Sequence, residues 1–517
     1  MSLSRAIATV GALTAASRVL GFIRDMMVAA ALGAGPVADA FFVAFKFPNF
    51  FRRLFGEGAF NSAFVPMFAG MVAGDGKQAA IRFAEQTLAV LLGTLLAFTL
   101  LAEAAMPWLM AVLAPGFEAG SQRYELAVEL TRITFPYLLF VSISALLSGV
   151  LNSLDRYAAA AATPILLNLC MILAIVSLPP VVATMGHALA WGVMAAGVSQ
   201  FVWLTASCIR AGAPIGLPWP HLTPQVRRML KLMVPGAIGA GITQVNLMVD
   251  VIIASLLPAG SVSFLYYADR INQLPLGVVG AAVGTALLPI LSKQLRAGDV
   301  AAAQESQNRA LEYALLLTLP ATAGLVALAQ PIITVLFQRG AFSASDALAT
   351  GGALAAFSVG LPAYVLIKVL TPGFFARHDT ATPVKVAVGA LVLNVVFSFA
   401  LMPFLAHIGV ALATALSAWV NFVALAIIQR RRAMFALDDR MRRRGPRLFL
   451  ASIVMGGAMA VAAHYAAPWL DAGSFWRYVA LPVIVAAGIL LYFGFGQAIG
   501  AMDLREAMQV LRRRRRA

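Results

Sequence analysis

Charge is scarce in this chain. Only 12% of its 517 residues are Asp, Glu, Lys or Arg, against about a quarter in soluble domains. Hydrophobic residues make up 61%, more than a water-soluble globule can hide, so the composition reads as a polytopic membrane protein. Acids are scarcer than bases, 22 against 38, which leaves a formal net charge of +16. Cysteine is nearly absent: Cys170 and Cys208 both sit in apolar runs, which argues against a disulfide framework or a cysteine zinc site. The five histidines (His187, His221, His378, His407 and His464) have no metal-ligand spacing, and neither a nucleophile elbow nor a P-loop is present. No polar stretch is long enough for a nucleotide-hydrolysing domain. The apolar runs are continuous rather than alternating, which excludes an outer-membrane barrel. The expectation is a transporter and not an enzyme.

What the chain does have is apolar runs of membrane length. At roughly 20 residues per crossing they read as about fourteen transmembrane helices, an all-α polytopic fold. Arg5 followed by small and apolar residues resembles a secretory leader, but Arg18, Arg24 and Asp25 interrupt the run, so it is expected to be a first span. Lys and Arg crowd the loops on one side, whereas only Arg123, Arg339 and Arg477 fall in loops on the other. By the positive-inside rule both termini are expected in the cytoplasm. The closing run Arg512 to Arg516 lacks interleaved aromatics, so it is expected to touch anionic membrane lipid and no nucleic acid.

The chain also repeats itself. "AALGAGPVADAFFVAFKFPNF" at residues 30–50 resembles "SLLPAGSVSFLYYADRINQLP" at 255–275, and "TPILLNL" at Thr163 echoes "TPVKVAV" at Thr382. An offset of about 220–225 residues over six spans implies two parallel repeats, an arrangement that places a substrate site at their interface. The expected organisation is an N-lobe over 1–222, a C-lobe over 223–433, two further helices with a basic linker over 434–500, and a basic cytoplasmic tail over 501–517.

Charges at membrane depth carry the functional signal. Arg18, Arg24, Asp25, Asp39, Lys46, Arg52, Arg53 and Glu57 all fall within the first two spans. A charge at a helix centre costs roughly 2.5–3.5 kcal/mol on insertion scales, so these groups should line a wet interior or pair with one another. Arg18 and Asp25 are seven apart and share a helix face, so they could pair. Asp39, Lys46, Arg53 and Glu57 recur on one face of the second span with Asn49 beside them, and Pro48 and Gly56 predict a break there. Asp269 and Arg270 occupy the corresponding stretch of the second repeat. A cavity dominated by Arg suits phosphate or carboxylate, because guanidinium groups bind these anions through two parallel hydrogen bonds. Gln244, Asn246 and Asp250 in the seventh span, Asn394 and Ser398 in the eleventh and Thr414 in the twelfth could either hydrogen-bond between helices or hold a small hard cation.

Three long stretches, "SRVLGFIRD" (17–25), "ADAFFVAFKFPNFFRRLFGEGAFNSAFVP" (38–66) and "LYYADRINQLPLGVVGAAVGTALLP" (265–289), resemble the MurJ (MviN) family of lipid II flippases in the MOP exporter superfamily. The resemblance covers nearly the whole chain. It implies two six-helix lobes plus two C-terminal helices shaping a groove for a lipid tail. It also implies outward flipping of the undecaprenyl-pyrophosphate-linked peptidoglycan precursor across the bacterial inner membrane by alternating access. Arg18, Arg24, Arg52 and Arg270 match the family's substrate-binding bases, and Asp25, Asp39 and Glu57 its cavity acids; Lys46, Asn49 and Asp269 lie beside them. Asp250, Asn394 and Thr414 match a sodium site of some relatives, where Ser398 replaces an acidic ligand. No cofactor is required, sodium being the one candidate ion. The implied partners are lipid II, membrane lipids and the cell-wall synthesis machinery. Competing readings are an exporter of another polyprenyl-linked oligosaccharide, a membrane-embedded glycosyltransferase, or a cell-wall scaffold.

Overall fold

The computed structural model describes residues 3–52, 60–471 and 473–503, and all regular structure among them is helical. Nine helical segments among these residues are long and apolar enough to cross a membrane. Helices suit that setting because they satisfy every backbone polar group internally. Four charge-bearing helices stand outside that group of nine: α1 (Leu3–Leu32), α2 (Pro36–Phe51), α10 (Pro224–Ser255) and α11 (Ser261–Arg296).

The order of helices repeats. After α3 (Asn61–Gly74) comes α4 (Lys77–Ala104), and in the second half α12 (Val300–Ala327) has the same 28 residues. Each is followed by a short helix, α5 (Met106–Leu113) or α13 (Ala329–Phe337). A broken helix comes next in both halves. α6 (Gln122–Thr134) and α7 (Tyr137–Ser153) part at Phe135 and Pro136, while α14 (Ala344–Val359) and α15 (Leu361–Phe375) part at Gly360. α8 (Tyr157–Ser177) and α9 (Met185–Arg210) then correspond to the two arms of α16 (Ala381–Arg431), which bends at Ala406 (φ 47°, ψ −129°). α17 (Asp439–Tyr465), α18 (Ala467–Leu470) and α19 (Arg477–Ala498) follow the repeat.

Packing divides the chain into two compact units, residues 1–263 with 340–342, and residues 264–339 with 343–517. This boundary falls inside α11, whereas the repeat boundary expected from the sequence lies at 222/223. The two differ because α10, which repeats α1 in order, packs on α3, α4 and α5.

In the first unit, Phe60, Phe64 and Phe68 stack along α3 and Phe83 of α4 joins Phe64, with ring centroids 5.1–5.6 Å apart. α8 and α9 approach closely because the facing residues are small: a Cβ on Gly192 would lie 2.7 Å from that of Ala174. α2 continues through Pro48 to Phe51, so the break expected from Pro48 and Gly56 does not fall at the proline, and Gly56 lies outside the described residues. Proline cannot donate to the carbonyl four residues back, which leaves the Ala44 oxygen without its helical donor. The Thr134 hydroxyl of α6 supplies one at 3.0 Å, so the helix continues without an orphan carbonyl. At the far end of α1, Gly33 and Gly340 both take positive φ (66° and 59°), and the Ala341 N–H donates to the Ala30 carbonyl at 2.7 Å. A Cβ on either glycine would sit 2.6 Å or less from a backbone oxygen.

In the second unit, α12, α15 and α16 enclose Leu311, Val365, Phe374 and Leu425. α17 and α19 pack beside α12 through Met455, Met459 and Tyr492, whose hydroxyl donates to the Leu316 carbonyl at 2.9 Å. Glu312 of α12 is buried beneath three guanidinium groups: it accepts from Arg309, from Arg440 and, at 2.6 Å, from Arg444. Arg309 also pairs with Asp438, which caps α17.

Candidate functional site

The charges of α1 are placed by α8. Arg24 and Asp25, each 6% exposed, form an ion pair in which the Arg24 Nη2 and Nε donate to Asp25 Oδ1 at 2.6 and 3.1 Å. Nη1 donates to Asn168 Oδ1 at 2.9 Å, and the Asn168 amide in turn donates to the Ser17 carbonyl at 2.9 Å. Asn168 thus fixes both the guanidinium and the helix that carries it. Taking a carboxylate and a guanidinium out of water together is tolerable only with such supplementary hydrogen bonds. Asp25 thus pairs with Arg24, although the spacing also allowed Arg18. Arg18 stands exposed and lines a cavity of about 350 Å³ between α1 and α8, with Ser17, Asn152 and Tyr157 in its wall.

On α2 the expected single charged face resolves into two groups. Asn49 donates to the Phe45 carbonyl at 2.7 Å and accepts from the Arg52 Nε at 3.0 Å, so the amide aims the arginine; Lys46 is half-buried on the same helix. Asp39 is fully buried and answers to neither. Its carboxylate accepts from the Gly260 and Ser263 N–H groups at 2.7 and 2.9 Å and from the Ser263 hydroxyl at 2.6 Å. A carboxylate is favoured there because the first N–H groups of a helix, here α11, lack intrahelical acceptors. The basic partner of Asp39 is Arg123 at 3.4 Å, which also donates to the Ser255 and Leu257 carbonyls and lies 3.9 Å over the Phe117 ring. Asp39, which the resemblance puts among the cavity acids, thus ties α2 to the turn before α11. Arg53 and Glu57 lie outside the described residues, as does the basic tail from 504 onward.

In the second unit, the Arg270 Nη2 donates to the Tyr266 hydroxyl at 3.0 Å and its guanidinium lies 4.7 Å over that ring. Asp269 accepts from Gln273 one turn on. Each member of the Asp269–Arg270 pair is thus oriented by a neighbour on α11 one turn away.

The sequence model of the family described as lipid II flippase MurJ matches residues 28–480. The chain belongs to the MurJ lipid II flippase family. A Rhizobium tropici protein described as a probable lipid II flippase MurJ is 44% identical over 100% of this chain and 98% of its own length. The Burkholderia cenocepacia protein described as lipid II flippase MurJ is 36% identical over 89% of this chain and 90% of its own. A solved lipid II flippase MurJ in an inward closed conformation matches with a TM-score of 0.77 at 26% identity, covering 95% of this chain and 98% of that one. An inward-facing multidrug resistance MATE transporter of the MOP superfamily shares the fold (TM-score 0.68, 15% identity, 81% and 95% covered).

As a member of the MurJ family with nine membrane-length apolar segments among its described residues, the chain is a multi-pass inner-membrane protein. Of the cation donors, Asp250 lies on α10 in the first unit, and Asn394, Ser398 and Thr414 lie on α16 in the second. Asn394 and Ser398 are fully buried, and the Thr414 hydroxyl donates to the Val410 carbonyl at 3.0 Å. No three His, Cys, Asp or Glu side chains come together among the described residues. The four side chains carry amide, hydroxyl and carboxylate oxygens, one in the first unit and three in the second. Four positioning residues were not picked out from sequence: Asn168, Arg123, Ser263 and Tyr266. The available signals were an amide within an apolar run, for Asn168, and one of only three bases in the sparse loops, for Arg123.

Proposed function

We propose that this protein moves lipid II, the polyprenyl-pyrophosphate-linked peptidoglycan precursor, from the inner to the outer leaflet by alternating access. The match to the MurJ family along nearly the whole chain carries this reading. The charges give it a chemistry. Arg18, Arg24, Arg52 and Arg270 would hold the pyrophosphate, with Lys46 and Glu57 as neighbouring charges, while the polyprenyl tail stays in lipid. Asn49 and Tyr266 supply the aim of Arg52 and Arg270. The Arg24 guanidinium is shared between Asp25 and Asn168, so an incoming phosphate would compete with Asp25 for the donors it now engages, while Asn168 keeps the group in place. At the α11 end, Asp39 and Arg123 would part and re-form as the molecule alternates.

With both termini in the cytoplasm, a potential positive outside favours outward movement of an anion. That drive amounts to about 2.3 kcal/mol per charge per 100 mV if the whole field is crossed. No cofactor is needed, and a sodium ion held by Asp250, Asn394 and Thr414 would be an added driver. Partners in the cell-wall synthesis machinery would receive the flipped lipid. Reconstitution into liposomes tests this directly, by following lipid II that becomes accessible to an external reagent, with and without a membrane potential. The wild type is expected to move it, and folded Arg24→Ala and Arg270→Ala variants to lose most of that movement. Wild-type vesicles that leave lipid II in place would sink the function, and fully active variants would sink the arginine clamp.

A further inference from the structure

The first unit contains a second cavity, away from the buried charges of α1 and α8. It has a volume of about 370 Å³ and lies where α4, α7 and α10 meet the end of α2 and the start of α3. Protein interiors hold few voids larger than a water molecule, so this is more than a packing defect. Phe51, Phe60, Leu91 and Met229 form much of its wall, and Phe98 and Leu230, 37% and 38% exposed, leave it reachable from outside. Three hydroxyls also face it, from Thr87, Thr94 and Ser142. Two of these are already engaged within α4, Thr87 with the Phe83 carbonyl and Thr94 with the Val90 carbonyl, both at 2.8 Å. A wall of this kind offers water too few partners and suits hydrocarbon.

The chemistry at the rim is different. Val226 and Met229 of α10 turn inward, while Arg227, Arg228 and Lys231 are exposed next to them. Arg227, Leu230 and Lys231 share one helix face, so the cavity edge and two cations lie side by side. The segment leading into α10 exposes Leu217, Trp219 (80%) and Leu222, an apolar and aromatic set of the kind that sits at headgroup level. The nearby acid Glu85 accepts from the Gly216 N–H at 2.8 Å, and against this one carboxylate the three bases leave the rim with a net positive charge.

We infer that this cavity takes an acyl chain of an anionic phospholipid whose phosphate is held by Arg227, Arg228 and Lys231. The occupant is an amphiphile because the walls are mostly apolar, with the Ser142 hydroxyl alone of the three not engaged, and the rim carries an excess of cations. It is an anionic phospholipid because three bases at one rim favour a headgroup with net negative charge over a zwitterion. The three rim bases are not among the arginines assigned to the flipped substrate, and the inference does not depend on that assignment.

Native mass spectrometry of the purified full chain tests the inference, with phosphatidylglycerol and phosphatidylcholine of the same acyl composition as probes. One phosphatidylglycerol is expected to be retained in preference to phosphatidylcholine. Replacing two rim charges, Arg227→Gln with Lys231→Gln, should lower that preference roughly tenfold. Thr94→Trp narrows the cavity from a position on its exposed side and should reduce retention of both lipids; Leu91→Phe is a milder second variant should the first fold poorly. Equal retention of the two lipids by the wild type overturns the headgroup assignment. Undiminished retention by both cavity variants overturns the cavity. Preferential capture of a polyprenyl phosphate over phosphatidylglycerol would give the cavity to the substrate tail and overturn the proposal as a whole.

Discussion

Arg24 shows what a guanidinium does here that an ammonium could not. It meets Asp25 through two nitrogens and Asn168 through a third, a fork that a point charge on a flexible stem does not reproduce. Arg24→Lys is therefore expected to lower lipid II movement about tenfold or more while leaving insertion intact, as read by the liposome assay. Asn168→Leu should weaken movement less, by loosening Arg24 without removing it. A second residue-scale prediction concerns Asp379, in the loop before α16. Hydrogen bonds from the Thr382 hydroxyl and N–H, then from Arg432, hold its carboxyl down at about 2. A depressed folded-state value means that its contribution is complete above the unfolded value, near 3.9, and fades as pH falls towards 2. The melting-temperature difference between the wild type and Asp379→Asn should accordingly be full at neutral pH and shrink on acidification below about 4. The charges on α1 and α2 were legible in the sequence because apolar runs make any base conspicuous. Asn168 was not, because an isolated amide in such a run looks the same whether it bonds a neighbouring helix or aims an arginine.

At the scale of the element, α2 shows how a proline can be neutralised by a neighbour. Pro48 withholds a donor from the Ala44 carbonyl and Thr134 supplies one. Thr134→Val should destabilise the protein by about 1–2 kcal/mol, the cost of a buried carbonyl left bare. In a Pro48→Ala background the helix regains its own N–H at residue 48, and the same Thr134→Val change should cost little. Unfolding measured across this double-mutant cycle checks the coupling, and equal costs in both backgrounds would refute it. Sequence rules predicted a break at Pro48 because they see the missing donor and cannot see α6 arriving with another. The partings near Pro136 and Pro362 were not read from the sequence, where each stretch looks like one unbroken apolar span.

Over the whole molecule, the repeat was readable from paired stretches such as residues 30–50 and 255–275. The packing boundary inside α11 was not, because α10 has its sequence counterpart in α1 but its neighbours in α3, α4 and α5. The C-terminal pair α17 and α19 is fastened to α12 by apolar packing and by Glu312, buried among Arg309, Arg440 and Arg444. Glu312→Gln would leave three guanidinium groups facing one another and should cost on the order of 3 kcal/mol. Limited proteolysis should then cut the 432–438 linker sooner, and Arg444→Gln in the same chain should recover part of the loss. The joint between Ala30 and Ala341 behaves differently from the Asp39–Arg123 pair. Made wholly of main chain and admitted by two glycines, it carries no net charge, so neither salt nor acid can tune it. The carboxylate joint is buried and so little screened by salt, but it contains a group that acid can neutralise. Acidification should therefore loosen one fastening and spare the other, so that the ease with which this region separates would depend on the medium only through Asp39.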